Sequence, residues 1–157
     1  MNTISLKIEN KAKKINHILQ SIVLSTILLI SLSSFAKNGG GEEEKKNLET
    51  ASLTVENLKA MLIAEGVQHP EIVLKQAIQE TGWFKCTSCS LNRNNIFGFY
   101  YKKQYLTYDS WQECVRYYKR WQDRHYKGGD YYTFLQKVGF ATDPQYITRL
   151  KSIKIKD

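Results

Sequence analysis

From residue 53 onward, apolar residues recur every three or four positions, which is the spacing of one face of an α-helix. Five segments show this pattern, and each begins at a residue that favours a helix N-terminus. The predicted helices start near Thr54, Pro70, Ser110, Asp130 and Asp143, and Gly66, Gly82 and Gly139 end the first, second and fourth. Ser110 is followed by a glutamate three residues on, as in a capping box. The pattern therefore predicts a mainly helical domain.

One region between the second and third predicted helices breaks the helical period. Residues 81–95 are rich in Gly, Cys, Ser and Asn, so we expect a loop there. Two aromatic-rich runs, 97–101 and 104–108, then flank Lys102 and Lys103 and favour a short β-hairpin. The predicted fold class is mainly α, an α+β domain with a single small hairpin.

The first 36 residues follow the pattern of a secretory signal peptide. Four lysines precede an apolar stretch, Ile18–Leu32, and a Ser-Phe-Ala sequence then offers the small residues that a signal peptidase reads. A retained membrane anchor is the alternative, but the run that ends at Ala36 barely reaches the ~20 residues that span a bilayer. We therefore expect export to the periplasm, the cell envelope or the medium, with no stable membrane insertion after processing.

A polar segment, residues 37–52, follows the signal peptide and contains three consecutive glycines and three consecutive glutamates. It has little apolar surface to bury, so we expect a flexible linker before a folded domain over residues 53–157. After residue 36 the chain carries 19 Lys and Arg against 14 Asp and Glu, a net charge of +5. This charge serves solubility alone or favours an anionic partner, either a wall polymer or a membrane surface, and export argues against nucleic acid as the partner.

Three cysteines bear on the redox and metal chemistry of the domain. An exported protein can hold a disulfide, so we expect a structural bond between Cys86 and Cys89, with two free thiols as the alternative. Cys114 falls within a predicted helix and is expected to be buried. A structural metal site normally needs four ligands, and a thioredoxin-type motif needs a βαβ pattern. Neither is present in the sequence, so we expect no metal and no cofactor.

Glu80 is the residue whose position suggests chemistry. On a helix, Val73, Ala77 and Glu80 share one face, so a carboxylate continues an apolar stripe. Such a carboxylate is unfavourable unless it is paired, protonated or at the rim of a cleft. At a cleft rim, partial desolvation would raise its pKa toward that of a general acid. The alternatives are a side chain turned to solvent at a frayed helix end, or one paired with a buried arginine.

Four short motifs follow one another along residues 53–153. They are Glu80-Thr81-Gly82-Trp83, Asn94-Asn95-Ile96-Phe97-Gly98, Tyr108-Asp109-Ser110 and Ala141-Thr142-Asp143-Pro144-Gln145-Tyr146. Together they resemble the glucosaminidase domain family of peptidoglycan hydrolases (glycoside hydrolase family 73), which contains endo-β-N-acetylglucosaminidases. Each motif is short, but four in the family's order, over nearly the whole predicted domain, are specific.

The resemblance implies a lysozyme-like helical fold with a glycan-binding groove that cuts peptidoglycan strands after N-acetylglucosamine. Glu80 matches the family's catalytic proton donor, and Tyr146 matches the tyrosine that approaches the reacting sugar. The candidate substrate-binding residues are Trp83, Asn95, Phe97 and Tyr108. We expect a monomer whose partner is the peptidoglycan glycan strand.

The sequence departs from the family's pattern at the second catalytic acid. Glycosidases usually pair two carboxylates, roughly 5 Å apart in retaining enzymes and about 6.5–9.5 Å apart in inverting ones. In the family the second acid is often found in the β segment, yet residues 96–108 contain none. Asp109 borders this segment and is the candidate second acid, although its place beside Ser110 also fits a turn. Glu113 is better explained by the capping box, and Asp143 by an N-cap.

Two routes need no second carboxylate from the protein. The 2-acetamido group of the substrate can act as the nucleophile, or Glu80 can act alone while a sugar hydroxyl attacks, as proposed for lytic transglycosylases. A different class of function is a catalytically weak module that binds or assembles wall glycan. Glu80 in its motif favours the enzyme, whereas the acid-free β segment favours the binding module. A third possibility is the same chemistry used as an effector against other cells.

Overall fold

The structure is a computed structural model that describes residues 42–155, and the predicted signal peptide lies outside the described residues. The elements are α1 (42–49), α2 (Val55–Ala64), α3 (Pro70–Thr81), a 3₁₀ turn (Ser90–Arg93), β1 (Tyr100–Tyr101), β2 (Gln104–Tyr105), α4 (Trp111–His125), α5 (Tyr131–Lys137) and α6 (Tyr146–Ser152). The predicted fold class, mainly α with one small antiparallel sheet, is confirmed. The chain divides into two units, residues 1–44 and 45–157, and the contacts that build this fold lie in the second. Within residues 42–155, no helix combines the length and the hydropathy that crossing a membrane requires.

Side-chain caps start three of the predicted helices where the sequence places them. Thr54, Ser110 and Asp130 each accept a hydrogen bond from the backbone N–H three residues on, at 3.1, 3.2 and 2.8 Å. Of the predicted capping box, only the bond to the Ser110 hydroxyl forms. The carboxylate of Glu113 accepts a hydrogen bond from Arg116 at 2.6 Å, so it takes part in an ion pair.

The last helix begins later than the sequence predicts. Asp143 is not its N-cap, because α6 starts at Tyr146 and Gln145 occupies the cap position. The Asp143 carboxylate accepts from the Gln145 N–H at 2.8 Å, and its backbone carbonyl accepts from the Tyr146 N–H at 3.0 Å. Asp143 therefore organises the turn that leads into α6.

The hairpin is confirmed but is shorter than the aromatic runs that predict it. Tyr100 pairs with Tyr105 and Tyr101 with Gln104, in antiparallel register. The two connecting lysines both have positive φ, 48° and 65°, as the central residues of a type I′ turn require. These four paired residues are exposed, so the hairpin adds no apolar surface to the core.

The core is formed by the apolar faces of the helices. Helix α3 packs on α2 and α6, and α2 also packs on α4. The largest fully buried side chains include Tyr118, Tyr131, Phe97, Leu58, Met61, Leu62, Leu74, Ile78 and Leu150. Cys114 is fully buried, as predicted. Tyr118 on α4 lies at the centre of this core, where its ring contacts Phe97, with centroids 4.4 Å apart.

The predicted linker differs from the structure over its described part. Residues 42–49 are helical, and Leu48 is only 6% exposed. The side-chain amide of Gln112 donates to the carbonyl of Leu48 at 2.8 Å, and the Trp111 indole donates to the carbonyl of Ala51 at 3.1 Å. The flexible tether expected for this part is therefore wrong. Composition suggested little apolar surface to bury, but Leu48 is buried, and carbonyls of residues 48–51 accept hydrogen bonds from side chains of α4.

Candidate active site

The C-terminal end of α3 brings Glu80 to a cleft. Val73 and Ala77 are fully buried on the core side of this helix, and Glu80 follows them on the same face. The helix ends at Thr81, and Gly82 has the left-handed conformation, φ 54°, that often ends a helix. The predicted inward stripe therefore continues into a cavity rather than into the closed core.

The cleft has a volume of about 440 Å³ and is built from four parts of the chain. Helix α3 contributes one wall and helix α6 another, while the segment before β1 and the loop after α5 complete it. Its lining residues are Gln79, Glu80, Phe97, Gly98, Phe140, Ala141, Thr142, Asp143, Tyr146 and Arg149. The first, second and fourth sequence motifs all contribute to this lining, so the fold brings together residues that are distant in sequence.

Gly98 lets the hairpin segment approach the Glu80 carboxylate closely. A Cβ atom at this position would lie 2.8 Å from Glu80 Oε2, which is shorter than real Cβ contacts. The residue also has φ +67°, in the left-handed region that favours glycine. Glycine is therefore required here both for the backbone conformation and for the space that the carboxylate occupies.

The electrostatic environment of Glu80 favours its protonated form. Burial raises the pKa of Glu80 above its ordinary value of 4.5, because removal from water disfavours the charged carboxylate. The hydroxyl of Tyr146 interacts with the carboxylate and opposes part of this rise in pKa. Tyr146 itself is buried, and burial followed by the charge of Glu80 raises its own pKa. Both groups are therefore neutral, with protons to donate, over a wider pH range than usual.

A second carboxylate, Asp143, lines the same cleft beside a cation. Its Oδ2 forms an ion pair with Arg149 of α6, and both side chains are about half exposed. Its other oxygen accepts the Gln145 N–H described above. Asp143 is therefore held as a paired anion, in contrast to Glu80, which has no cationic partner within residues 42–155.

Two of the predicted substrate-binding residues support the site from behind. Asn95 is fully buried, and its side-chain amide donates to the carbonyls of Phe99 at 2.8 Å and Leu106 at 3.0 Å. It also accepts from the Phe99 N–H at 2.9 Å, so its side chain fastens the base of the hairpin. Phe97 lines the cleft but is 1% exposed, so its ring belongs mainly to the core.

The other predicted residues do not line the cleft. Trp83 is 45% exposed in the loop after α3. Tyr108 is half-buried, with its ring centroid 5.4 Å from that of Tyr117. Asp109, the candidate second acid, is exposed, and its backbone carbonyl accepts a hydrogen bond from Asn94 at 3.0 Å. The structure thus brings Glu80, Phe97 and Tyr146 together and leaves these three residues outside.

The three cysteines are free thiols in this structure, in place of the expected disulfide between Cys86 and Cys89. The two side chains do interact. A hydrogen bond from the Cys89 side chain lowers the pKa of Cys86, whereas burial raises the pKa of Cys89. Neither residue lines the cleft. Within the described residues, no group of three or more His, Cys, Asp or Glu side chains is placed to hold a metal ion.

Sequence reasoning missed three residues that shape the surroundings of Glu80. Gln76 is fully buried one helical turn before Glu80, and the spacing of four residues placed it on the same face. Gly98 is the last residue of the second motif, but only the structure shows its approach to the carboxylate. Arg149 lies one turn after Tyr146 on α6, so helical periodicity also offered a signal for this cation.

Comparison with known proteins supports the resemblance seen in the four motifs. Residues 55–156 match the family model named Glucosaminidase, which is described as mannosyl-glycoprotein endo-β-N-acetylglucosaminidase. No curated protein and no solved structure matches the chain. The matched range covers well over half of the sequence and includes Glu80, the hairpin and Tyr146.

Proposed function

The chain belongs to the glucosaminidase family, a family of glycoside hydrolases, and from this premise we propose that it is an exported enzyme that cuts peptidoglycan strands at N-acetylglucosamine. Glu80 acts as the general acid. The observation that carries the proposal is the position of the Glu80 carboxyl group, at the wall of an open cleft and partly removed from water. A general acid needs both access to the substrate and a raised pKa, and this position supplies them.

The proposed chemical step is a proton transfer from Glu80 to the glycosidic oxygen of the leaving sugar. Once the proton has left, Glu80 is a carboxylate in a poorly solvated position, and the Tyr146 hydroxyl is placed to stabilise that charge. Phe140, also in the lining, offers a partly exposed ring on which a sugar face can stack. Arg149 and Asp143 supply polar groups for the hydroxyl and amide groups of the strand.

The second catalytic group is open to two assignments that make different products. With the substrate's 2-acetamido group as nucleophile, water completes the reaction and leaves a reducing sugar. With attack by a sugar hydroxyl, the product is an anhydro-sugar. Asp143 is the other carboxylate that lines the cleft among the described residues, but its ion pair with Arg149 leaves it less available as a nucleophile.

Mass spectrometry of the fragments released from purified sacculi tests the proposal. Reducing-end N-acetylglucosamine is the expected product, whereas reducing-end N-acetylmuramic acid would indicate a muramidase and anhydro-sugars a transglycosylase. The family's description also names mannosyl-glycoproteins, so a high-mannose glycoprotein serves as the comparison substrate. Glu80→Gln is the matched control for each reaction.

A module that binds wall glycan without turnover is the second candidate. The observation that favours it is that no unpaired second carboxylate lines the cleft in residues 42–155. It would be established if the wild-type protein releases no fragment from the sacculi of several bacteria while Glu80→Gln binds those sacculi equally well.

Export is a separate part of the proposal. We expect removal of residues 1–36, because their sequence has the basic, apolar and small-residue regions of a signal peptide. N-terminal sequencing of the protein recovered outside the cytoplasm should begin at Lys37. A recovered chain that still begins at Met1 would contradict cleavage.

A further inference from the structure

A chain of buried polar side chains runs through the core toward the cleft. Gln122 donates from its amide nitrogen to the hydroxyl of Tyr131 at 2.7 Å. The Tyr131 and Tyr118 hydroxyls are 2.7 Å apart, and Tyr118 donates to Gln76 Oε1 at 2.6 Å. We call these four residues, Gln122, Tyr131, Tyr118 and Gln76, the polar chain. All four side chains are at most 1% exposed, so water does not compete for these bonds.

The backbone of Gln68 fixes the direction of every proton in the polar chain. Its N–H can only donate, and it donates to Gln122 Oε1 at 2.8 Å. The amide nitrogen of Gln122 is therefore the group that faces Tyr131, and it also donates to the Gln68 carbonyl at 2.9 Å. Each hydroxyl carries one proton, so Tyr131 must donate to Tyr118 and Tyr118 to Gln76 Oε1. The amide nitrogen of Gln76 is then left as the free donor at the end.

The free end of the polar chain and a hydroxyl of the cleft are both left without a partner. Gln76 Nε2 and the Tyr146 hydroxyl are both buried, and neither has a hydrogen-bond partner within residues 42–155. Their helices, α3 and α6, pack on each other. The Gln76 amide also lowers the pKa of Tyr146, against the rise that burial and Glu80 cause. An amide N–H directed at the Tyr146 oxygen leaves the Tyr146 proton directed at Glu80.

We propose that Gln76 is a positioning residue for the proton donor, which rests on the proposed function. Oriented by the polar chain, its amide occupies the acceptor side of the Tyr146 hydroxyl and holds the Tyr146 proton toward the Glu80 carboxylate. Tyr146 thereby stabilises the carboxylate that forms when Glu80 gives up its proton. Loss of this orientation leaves the carboxylate without its donor for part of the time, so Glu80 holds its proton to higher pH.

Few charged groups other than Glu80 face this site. On the side of α6 they are Arg149 and Asp143, which form the ion pair already described. The hairpin side contributes Phe97 and Gly98, and α3 contributes Gln79, none of which titrates. The substitutions at Gln76 and Tyr118 leave both members of this ion pair in place, so a change in the titration of Glu80 in a Gln76 variant reports on Tyr146.

The test compares Gln76→Met with a matched control, Gln112→Met. Both substitutions replace a buried glutamine by an apolar side chain of similar shape, but Gln112 bonds residues 48–51 and does not line the cleft. Tyr118→Phe is the second variant, because it removes the donor that fixes the Gln76 amide and keeps the ring in place. The measurements are the NMR titration of the Glu80 carboxyl carbon and the pH profile of hydrolysis of sacculi.

In Gln76→Met and Tyr118→Phe, the Glu80 titration midpoint and the alkaline limb of the pH profile should both move to higher pH. At the optimum, kcat should fall about 10-fold in Gln76→Met with a smaller change in KM, as expected for a misplaced catalytic group. Gln112→Met should leave the titration and the pH profile unchanged.

An unchanged Glu80 midpoint in both Gln76→Met and Tyr118→Phe would overturn the inference. An equal movement in Gln112→Met would also overturn it, because general loosening of the core would then be the cause. A third outcome separates the two proposals: the wild-type protein hydrolyses no substrate, yet the Glu80 titration midpoint moves in Gln76→Met and not in Gln112→Met. In that case the positioning role stands and the proposed function fails.

Discussion

Helix α4 carries two buried polar systems that differ in how completely their groups are paired. Its first turns hold the N-terminal anchor, which consists of Gln112, Arg116 and residues 48–51. There, the Gln112 amide donates to the carbonyls of Leu48 and Glu49 at 2.8 and 3.1 Å, and Arg116 contacts Glu49 and Glu113. Further along, α4 contributes two members of the polar chain that ends near Glu80.

The difference between the two systems indicates where function lies. Within residues 42–155, four buried side-chain atoms lack a hydrogen-bond partner: Gln76 Nε2, Gln79 Oε1, Tyr108 Oη and Tyr146 Oη. Gln79 and Tyr146 line the cleft with Glu80, and Gln76 lies one helical turn before Glu80. None of the four belongs to the N-terminal anchor. A buried polar atom without a partner is unfavourable, so such atoms beside a cleft mark a place where requirements other than stability shape the structure. The anchor is paired because its role is structural.

The largest expected effect is that of Glu80→Gln on turnover. Glutamine keeps the shape of the side chain but cannot donate an acidic proton, and general acid catalysis contributes about 10²–10⁴-fold. We expect a loss of at least ~100-fold in release of fragments from sacculi, with unchanged binding to them. Activity close to that of wild type would show that Glu80 is not the acid.

The same variant should be more stable than wild type in a manner that depends on pH. Burial raises the pKa of Glu80 in the folded state, so ionisation of Glu80 destabilises the fold as pH rises from the ordinary value of 4.5 through the raised pKa. The glutamine side chain in Glu80→Gln does not ionise, and the Tm advantage of this variant should therefore be absent at low pH and grow across that window. Thermal unfolding of both proteins at a series of pH values measures it, and an advantage that is constant with pH would contradict the burial of Glu80.

Gly98→Ala should have the next largest effect, through the position of the carboxylate. The new methyl group would lie 2.8 Å from Glu80 Oε2, so we expect a loss of about 10- to 100-fold in turnover. Gly139→Ala is the matched control. Gly139 has a similar φ, +62°, with no atom within 4 Å of the added methyl group, so it carries only the backbone strain of about 1 kcal/mol. Equal kinetics in the two variants would mean that the close approach to Glu80 does not matter.

Disruption of the N-terminal anchor should reduce stability and leave catalysis intact. Arg116→Met removes a guanidinium that contacts Glu49, Glu65 and Glu113, all of them partly exposed, so we expect a loss of about 1 kcal/mol in the free energy of unfolding. Chemical denaturation measures this loss, and kcat on sacculi should match wild type. A fall in kcat without a change in stability would show that the anchor acts on the cleft.

The smallest effect is expected for the double variant Cys86→Ser, Cys89→Ser. Neither thiol lines the cleft, and both are free in this structure, so turnover and Tm should stay as in wild type. Mass spectrometry of the wild-type protein after alkylation determines whether the two thiols are free in the exported form. A folded double variant without turnover would assign these residues a catalytic part that the structure does not.

The elements of the fold could be predicted well from the sequence because their causes are local. Thr54, Ser110 and Asp130 start helices through bonds to N–H groups three residues away, and a helical period of apolar residues needs no knowledge of partners. The predictions were wrong where a contact with a residue distant in sequence determines the structure. Leu48 was expected in a linker, but its carbonyl accepts a hydrogen bond from Gln112 of α4. Glu113 was expected to complete a capping box, but its carboxylate pairs with Arg116.

The candidate site also has features that the sequence predicts and features that only the fold reveals. Residue patterns along the chain were enough to predict the helical domain, the place of Glu80 on an inward face, and the motifs of the family. The folded structure was needed to show that Asn95 fastens the hairpin and that Asp109 lies outside the cleft. It was also needed to show that Gln76 influences the pKa of Tyr146, 70 residues further along the sequence. The physical reason is that helix formation follows from neighbours three or four positions apart, whereas desolvation and proton direction depend on every group that the folded chain brings to one point.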